Sequence, residues 1–498
     1  MHLTDLLNKL VPPLADVATT NIGGLSVNSA QVKKGDLFFA LLGKTHDGRD
    51  FIDDAIKRGA VAIVTDKRPF STKKSISVPV VQTESPRQLM AKAAARFWPQ
   101  QPGLIGAVTG TNGKTSTVDF MRQIWARANW PSISIGTMGM RGDSINRANT
   151  PMVDIAQLTT PDSLNLHASI DAVAKQGVTH LALEASSHGL QQHRLDGLNI
   201  HVAGFTNLSR DHLDHHTSMN EYFAAKLRLF EDLLIEGGGA VINIDDAYGK
   251  KIAERIKDRP IVVKTFGTSK AADFYIKDIC TTDFGLDLNV VYQDKNWQIP
   301  LALAGTFQAM NAVAAAIMCY LSGLPLHDSL GPLSYLKSVP GRMQIVHGHP
   351  ENAQIIVDYA HTSDALAAAL AALRPAATGK LAVLFGCGGD RDKGKRAEMG
   401  QIANDGADQI FVTDDNPRSE DAASIRASII TACPNAIEIA SRDKAIAAAL
   451  ASVRSGDVLL IAGKGHETVQ LVGNESLPFD DAAIASHLML QMQKETVQ

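Results

Sequence analysis

Gly110, Gly113, Lys114 and Thr115, in the stretch AVTGTNGKTST from Ala107 to Thr117, are spaced to hold phosphate. The apolar run LIGAV before them reads as a strand, and KTSTVDFMRQIWARA after them as a helix. Glycines let the backbone curl until its N–H groups face an anion, and a helix N-terminus adds partial positive charge. With Thr111, Asn112 and Ser116, these residues form a candidate ATP loop. Lys114 should reach the β- and γ-phosphates, and the Thr115 hydroxyl should ligate Mg2+. Val108 stands where the strict GxxxxGK[ST] pattern needs glycine, which argues against an ordinary motor or GTPase. A plain Gly-rich turn before a helix is the alternative.

Glu184 ends the apolar run HLALEA, and His212 follows GFTNLSRD, so both belong at strand ends near the phosphate site. A hard cation between phosphates takes oxygen ligands, and Glu184 supplies one. His212 taken alone reads as a hydrogen-bonded structural histidine. EYFAAKLRLFEDLL reads as a helix with Phe223, Leu227, Phe230 and Leu234 as its apolar stripe. Lys226 lies about 60° from that stripe. Read alone, it lays its stem on the apolar face and sends its ammonium to water.

The elements that must carry these groups alternate. In 498 residues, two to four domains are expected. Residues 1–102 read as a small α/β unit with DLFFAL and AVAIVTD as strands, FIDDAIKRG as a helix and FWPQQPG as the linker. Residues 103–337 alternate strand and helix, with THLALEA, HVAGFTN and GGAVINID as buried strands, which predicts a doubly wound, mostly parallel sheet. Residues 338–498 read as a Rossmann-like α/β domain whose strands AQIIVDYA, KLAVLFGCGG, DQIFVTDD and DVLLIAGKG end on one site. A net charge of -4 argues against a nucleic-acid binder. AVAAAIMCYLSGLPL is too short and interrupted to cross a bilayer and reads as a buried helix. The polar N-terminus argues against a signal peptide. Four dispersed cysteines fit a reducing cytoplasm and neither zinc nor disulfides.

TGTNGKTS resembles the nucleotide loop of the Mur ligases, which build the peptide stem of bacterial cell-wall precursors. LEASSHGLQQHR, TNLSRDHLDHH, GTFQAMNAVAA and DYAHTSDAL extend the resemblance along nearly the whole chain. It implies an amide ligase that uses ATP to join an amino acid to a carboxylate through an acyl phosphate. It further implies Thr115 and Glu184 on one Mg2+, His212 on a second, and Lys226 carbamylated into an anionic metal ligand. Asn311, Arg342 and Asp358 are implied on the adenine side, with Gln308 and Ser363 standing where Asn and Pro are more usual. A UDP-muramoyl dipeptide would lie on Val27, Ser29, Lys44, Thr45 and His46, and on Thr159, Thr160, Ser186, Gln192 and Arg194. Relatives more often have Asp-Ser-Arg where this chain has Asn28-Ser29-Ala30.

The resemblance is nearest to members that add the third residue of the stem. Asp415, Asn416, Pro417 and Arg418, in DDNPRSE, mark relatives that take meso-diaminopimelate. The chemistry agrees, because a guanidinium can grip the carboxylate that diaminopimelate carries and lysine lacks. Arg391 would take the other carboxylate, and Gly463 and Glu467 the distal ammonium. The resemblance implies a cytoplasmic monomer with no nucleic-acid partner and no membrane insertion. The same chemistry on lysine or another diamine, or on a folylpolyglutamate-type acceptor, is the alternative. A P-loop ATPase that switches shape on binding partners would instead hydrolyse ATP with no amino acid present.

Overall fold

The computed structural model describes residues 1–12, 20–43, 46–69, 76–142, 158–209, 216–282 and 285–496; Lys44, Thr45 and His212 lie outside them. The chain divides into two compact units, residues 1–265 with 317–324, and residues 266–316 with 325–498.

In the first unit, β1 (Gly24–Ser26), β2 (Asp36–Phe39), β3 (Ala62–Asp66) and β4 (Val80–Thr83) form an all-parallel sheet in that order. The expected strands DLFFAL and AVAIVTD are β2 and β3. Leu37 and Phe39 of β2 pack into one core and Phe38 into another, as a parallel strand covered on both faces requires. Helix Pro86–Phe97 begins with Pro86, whose fixed φ suits the first helical turn.

A second set of strands holds the phosphate loop: β5 (Leu104–Thr109), β6 (Ser132–Gly136), β7 (Gly139–Arg141), β8 (His180–Glu184), β9 (Ile200–Phe205) and β10 (Leu234–Asn243). Their order is β10-β9-β5-β8-β6-β7, parallel except for β7. β6 is absent from the sequence reading because its alternate serines resemble turn residues. All five of its residues are buried, and Ser132 Oγ donates to the Arg122 carbonyl at 3.2 Å. The helix read over EYFAAKLRLFEDLL is also corrected. It is α-helical over Met219–Arg228, turns as a π-helix over Leu229–Leu233, and gives way to β10 at Leu234. Its buried face is Tyr222, Ala225, Lys226 and Leu227, while Phe223 is only half-buried.

In the second unit, Phe266 and Gly267, the last two residues of β11 (Val262–Gly267), pair with β12 (Phe274–Thr282). β12, β13 (Gly285–Tyr292) and β14 (Lys295–Leu301) then form an antiparallel meander where strand–helix alternation was expected. The turn between β13 and β14 holds Gln293 and Asp294 at φ 48° and 61°, which matches the twist of a tight hairpin. Helix Thr306–Leu321 is the expected buried helix, its Ala312–Cys319 run fully packed.

β15 (Gln344–Val346), β16 (Gln354–Asp358), β17 (Leu381–Phe385), β18 (Gln409–Val412), β19 (Ile437–Glu438) and β20 (Val458–Ala462) build a separate sheet in the order β15-β16-β20-β17-β18-β19. Only β15 is antiparallel. Apolar clusters cover both faces, and the four strands read from the sequence are neighbours whose carboxyl ends share one edge. A hairpin, β21 (Val469–Val472) with β22 (Glu475–Pro478), follows. The four cysteines are free thiols, and no described helix is long and apolar enough to cross a membrane.

Candidate active site

The register of the sheet sets the first site. β5 lies between β8 and β9, with Val108 opposite Glu184 and Thr109 opposite Phe205. The loop after β5 therefore emerges between an acid on one side and Thr206–Ser209 on the other. Gly110 permits this crowding, since a Cβ there would lie 1.9 Å from Thr206 Oγ1. The loop is pinned by Thr111 N to the Asn207 carbonyl at 2.8 Å, Asn112 N to Asn207 Oδ1 at 2.9 Å and Thr206 Oγ1 to the Asn112 carbonyl at 2.6 Å. Gly113, at φ 87°, starts helix Lys114–Arg127 with no side-chain cap, so the first-turn N–H groups are left for a ligand. Thr115 and Ser116 lie in that turn.

Two lysines converge on this loop. Lys114 Nζ donates to the carbonyls of Gly110 and Thr111 at 2.9 and 2.8 Å. Lys226 Nζ donates to the same Gly110 carbonyl at 2.7 Å and lies 4.5 Å from the centre of the Tyr222 ring. Lys226 is 1% exposed, so its ammonium does not reach water as the sequence alone implied. Glu184 is equally buried. Its carboxylate accepts from Thr137 N at 2.9 Å and Thr137 Oγ1 at 3.2 Å, which leaves acceptor capacity on both oxygens. Among the described residues no cluster of three His, Cys, Asp or Glu side chains could hold a metal ion.

Glu184 also leads into the residues expected to hold the muramoyl peptide. Thr160 Oγ1 donates to the Glu184 carbonyl at 2.8 Å and lies 2.9 Å from Ser186 Oγ. Arg194 Nη1 donates to the Thr160 carbonyl at 2.5 Å, and its Nε and Nη2 donate to Gln192 Oε1. Thr159 Oγ1 accepts from Thr137 Oγ1 at 3.3 Å. Thr159, Thr160, Ser186, Gln192 and Arg194 are thus one continuous group around Glu184. Val27, Ser29 and His46 line a separate cavity of about 350 Å³ with Phe51 and Arg87.

Asp196 ties this group to the helix of Lys226. Its carboxylate accepts from Arg228 Nη2 at 2.7 and 2.8 Å, from Gln88 Nε2 at 3.0 Å and from His193 Nδ1 at 3.3 Å. Burial alone would raise its pKa, but the hydrogen bonds from His193, Arg228 and Gln88 outweigh burial and hold it at about 2. A depressed folded-state value stabilises the fold above the ordinary carboxylate range, and that contribution is lost as pH falls from about 4 towards 2. It amounts to about 2 kcal/mol. Asp196→Asn should therefore lose about that much stability to urea at pH 7. The gap from the parent should shrink below pH 4 and close as pH falls through about 2.

In the second unit the DNPR stretch, Asp415–Arg418, follows β18, and the segments after β17 and β20 meet it. Asn416 Nδ2 donates to Glu467 Oε2 at 2.7 Å, and Asn416 Oδ1 accepts from Lys464 Nζ at 3.0 Å and Leu471 N at 2.9 Å. Both ends of that amide are thus engaged within the loop. The Asp415 carbonyl accepts from Gln470 Nε2 at 2.7 Å, and burial raises the Asp415 carboxyl. Arg418 sits at φ 53°, a sparsely populated backbone region for a non-glycine residue. Its backbone is fixed there by bonds to the Leu471 carbonyl at 3.0 Å and from Gly473 N at 2.7 Å. Its Nη1 donates to the Gly389 carbonyl at 2.7 Å, over Gly388, where a Cβ would approach Nη1 to 2.9 Å. Pro417 packs its carbonyl against Gly389, Gly463 N donates to the Asp358 carbonyl at 3.1 Å, and Arg391 is exposed.

Lys464 was missed by the sequence reading. It is 0% exposed and joins Asn416, Glu467 and the Val469 carbonyl, the last at 2.7 Å. Arg442, also fully buried, forks onto Asp481 at 2.8 and 2.7 Å and donates to the Ala462 carbonyl. This buttresses the end of β20.

The residues expected on the adenine side form a chain. Asn311 Nδ2 donates to Gln308 Oε1 at 3.0 Å, and Gln308 Nε2 donates to the Arg342 carbonyl at 3.1 Å. The Arg342 guanidinium lies 4.7 Å over the Tyr359 ring, and Asp358 Oδ2 accepts from Met343 N at 2.7 Å. Burial raises the Asp358 carboxyl. Ser363, where relatives more often have Pro, opens helix Ser363–Leu373 and donates to Glu398 Oε2 at 2.6 Å.

Comparison with known proteins bears on the family and the fold. Residues 21–98 match the Mur ligase family catalytic domain, 108–319 the Mur ligase middle domain and 341–465 the Mur ligase glutamate ligase domain. The UDP-N-acetylmuramoyl-L-alanyl-D-glutamate–2,6-diaminopimelate ligase of Bradyrhizobium diazoefficiens is 46% identical, over 98% of this chain and 100% of its own. The protein of the same name from Brucella melitensis is 43% identical over 98% of each. A solved structure of a ligase with that name superposes with a TM-score of 0.73 at 32% identity, covering 99% of both chains. The fold is shared with MurF ligase of Thermotoga maritima in complex with ADP, at a TM-score of 0.58, 20% identity, and 96% and 97% coverage. The chain belongs to the Mur ligase family.

Proposed function

We propose that this chain is an ATP-dependent amide ligase that adds meso-2,6-diaminopimelate to the D-glutamate γ-carboxylate of UDP-N-acetylmuramoyl-L-Ala-D-Glu, in the cytoplasm and as a monomer. One observation carries it: the sheet register sets Glu184 beside the phosphate loop while buried Lys226 bonds to that loop at Gly110. The named activity of relatives 40–46% identical along the chain supports the choice of substrates.

A carboxylate repels an attacking amine, so it must first be activated. Its oxygen attacks the γ-phosphorus of ATP, the bond to the β-bridging oxygen breaks, and ADP leaves. The diaminopimelate amine then adds to the acyl-phosphate carbonyl, and phosphate leaves from the tetrahedral intermediate as the amine loses its proton. The first-turn N–H groups of helix Lys114–Arg127, with Lys114, stabilise charge on the transferring phosphoryl group. Thr115, Glu184 and a carbamylated Lys226, with His212 beyond the described residues, would hold Mg2+, which supplies charge neutralisation at the phosphates. The donor set fits, because Glu184 keeps acceptor capacity and a carbamate is an oxygen ligand. The carbamate nitrogen keeps one N–H for the Gly110 carbonyl, and it removes one of two like charges now converging there. Asn311, Arg342 and Asp358 are the further ATP contacts. Arg418 and Arg391 grip the two carboxylates of diaminopimelate. Gly463 and Glu467 receive the distal ammonium, with Asp415, Asn416 and Pro417 shaping the loop. Domain boundaries near residues 102 and 337 separate nucleotide-sugar, ATP and amino-acid binding.

Oxygen transfer tests the acyl phosphate. With the γ-carboxylate labelled in 18O, one labelled oxygen should appear in the released phosphate. Unlabelled phosphate from a reaction that forms the amide would refute the pathway.

A further inference from the structure

Arg391 and Arg418 stand on segments that leave two neighbouring strands, β17 and β18, side by side. Thr413 N donates to the Phe385 carbonyl at 3.0 Å, and Gly389 N donates to the Asn416 carbonyl at 2.9 Å. Both arginine side chains border Gly388, where a Cβ would lie 2.9 Å from Arg418 Nη1 and 3.9 Å from Arg391 Cγ. Each segment bends at a non-glycine residue in the left-handed region, Asp390 at φ 54° and Arg418 at φ 53°. Such bends persist only where their surroundings hold them.

One carboxylate joins the two segments. Glu420 Oε1 accepts from Asp390 N at 2.6 Å, and both Glu420 oxygens accept from Arg396 Nη2 at 3.0 Å. Lys393 Nζ lies 3.6 Å from Glu420 Oε2. Asp390 and Arg396 bracket Arg391 in the chain. Glu420 therefore closes the loop that carries one arginine, while it stands two residues beyond the other. Arg396 is 3% exposed and belongs to helix Lys395–Gly406, which makes it a fixed post for the clasp. The hold is reciprocal, because the Asp390 carboxylate accepts from Ser419 N at 3.1 Å and from Ser419 Oγ at 2.8 and 2.9 Å.

We infer that Glu420 is a positioning residue that sets the separation of Arg391 and Arg418, and so the length of the amino diacid that spans them. The inference rests on the proposed diaminopimelate substrate. A guanidinium makes its two bonds to a carboxylate only over a narrow range of placements. With both arginines fixed, a diacid one methylene shorter reaches one of them and leaves the other unpaired. With the Arg391 loop released, that penalty falls, because the loop can follow the shorter molecule. Binding of diaminopimelate then weakens too, since it must order the loop itself.

Steady-state rates of the full chain with diaminopimelate and with diaminoadipate, one methylene shorter, test the inference. Glu420→Ala should raise KM for diaminopimelate about 10- to 100-fold and leave KM for ATP and for the UDP-muramoyl dipeptide within about twofold. It should also narrow the kcat/KM ratio of diaminopimelate to diaminoadipate by about tenfold, which a merely structural role would not do. Glu420→Gln keeps an acceptor for Asp390 N but turns an amide towards Arg396, so it should lie between. Melting curves accompany both variants, and where Glu420→Ala does not fold, the ratio in Glu420→Gln decides. A parent-like KM and ratio in a folded variant, or a KM that rises equally for all three substrates with the ratio unchanged, would overturn the inference alone. A parent protein that turns over neither diacid would overturn the substrate reading, and this inference with it.

Discussion

Lys114→Ala should lower the rate of ATP-dependent amide formation by about a thousandfold while the protein stays folded. The size follows from what the ammonium does: it offsets charge on the γ-phosphoryl group as its bonds change, and groups in that position are worth factors of about 10² to 10⁵. The intact fold follows from the loop's other anchors. Asn207 and Thr206 hold Thr111 and Asn112, and Lys226 still bonds to the Gly110 carbonyl. Single-turnover phosphate release, with a melting curve for each variant, reads both effects. A variant within tenfold of the parent would show that the loop does not act on the γ-phosphate.

Arg418→Ala should lower kcat/KM for diaminopimelate by about a thousandfold and leave KM for ATP within twofold, since a site built for a charged partner rejects a substrate it can no longer pair. Arg418 is placed for this by its backbone rather than by its side chain. The bonds to Leu471 and from Gly473 hold it at φ 53°, and only one of its terminal nitrogens is engaged, by the Gly389 carbonyl. Arg418→Lys should recover little, because an ammonium keeps the charge but not the two-bond geometry. The ratio of diaminopimelate to lysine turnover is the sensitive readout. An unchanged ratio in Arg418→Ala would remove the basis for assigning the amino acid.

What the sequence disclosed was local. The phosphate loop is legible because Gly110, Gly113, Lys114 and Thr115 act through their own spacing. The four strands of the last sheet are legible because each is a short apolar run ending in polar residues. Long-range partnerships were not. Lys464 looks like an ordinary lysine in a glycine-rich turn, and only Asn416, 48 residues away, makes it a buried hub. Arg442 and Asp481 are 39 residues apart on separate helices. Lys226 was placed at a helix edge because the helix was read as ending at Leu234. The π-turn and the strand that follow shift the buried face onto Tyr222 and Lys226. The β12–β14 meander did have a signal, the period-two alternation of GLDLNVVY, which lay hidden under an expectation of strand–helix units.

Phosphate release by the purified protein, with each substrate omitted in turn, tests the central claim most directly. Release should require ATP, the UDP-muramoyl dipeptide and diaminopimelate together, and should match amide formed one to one. Sustained release with ATP alone would contradict it.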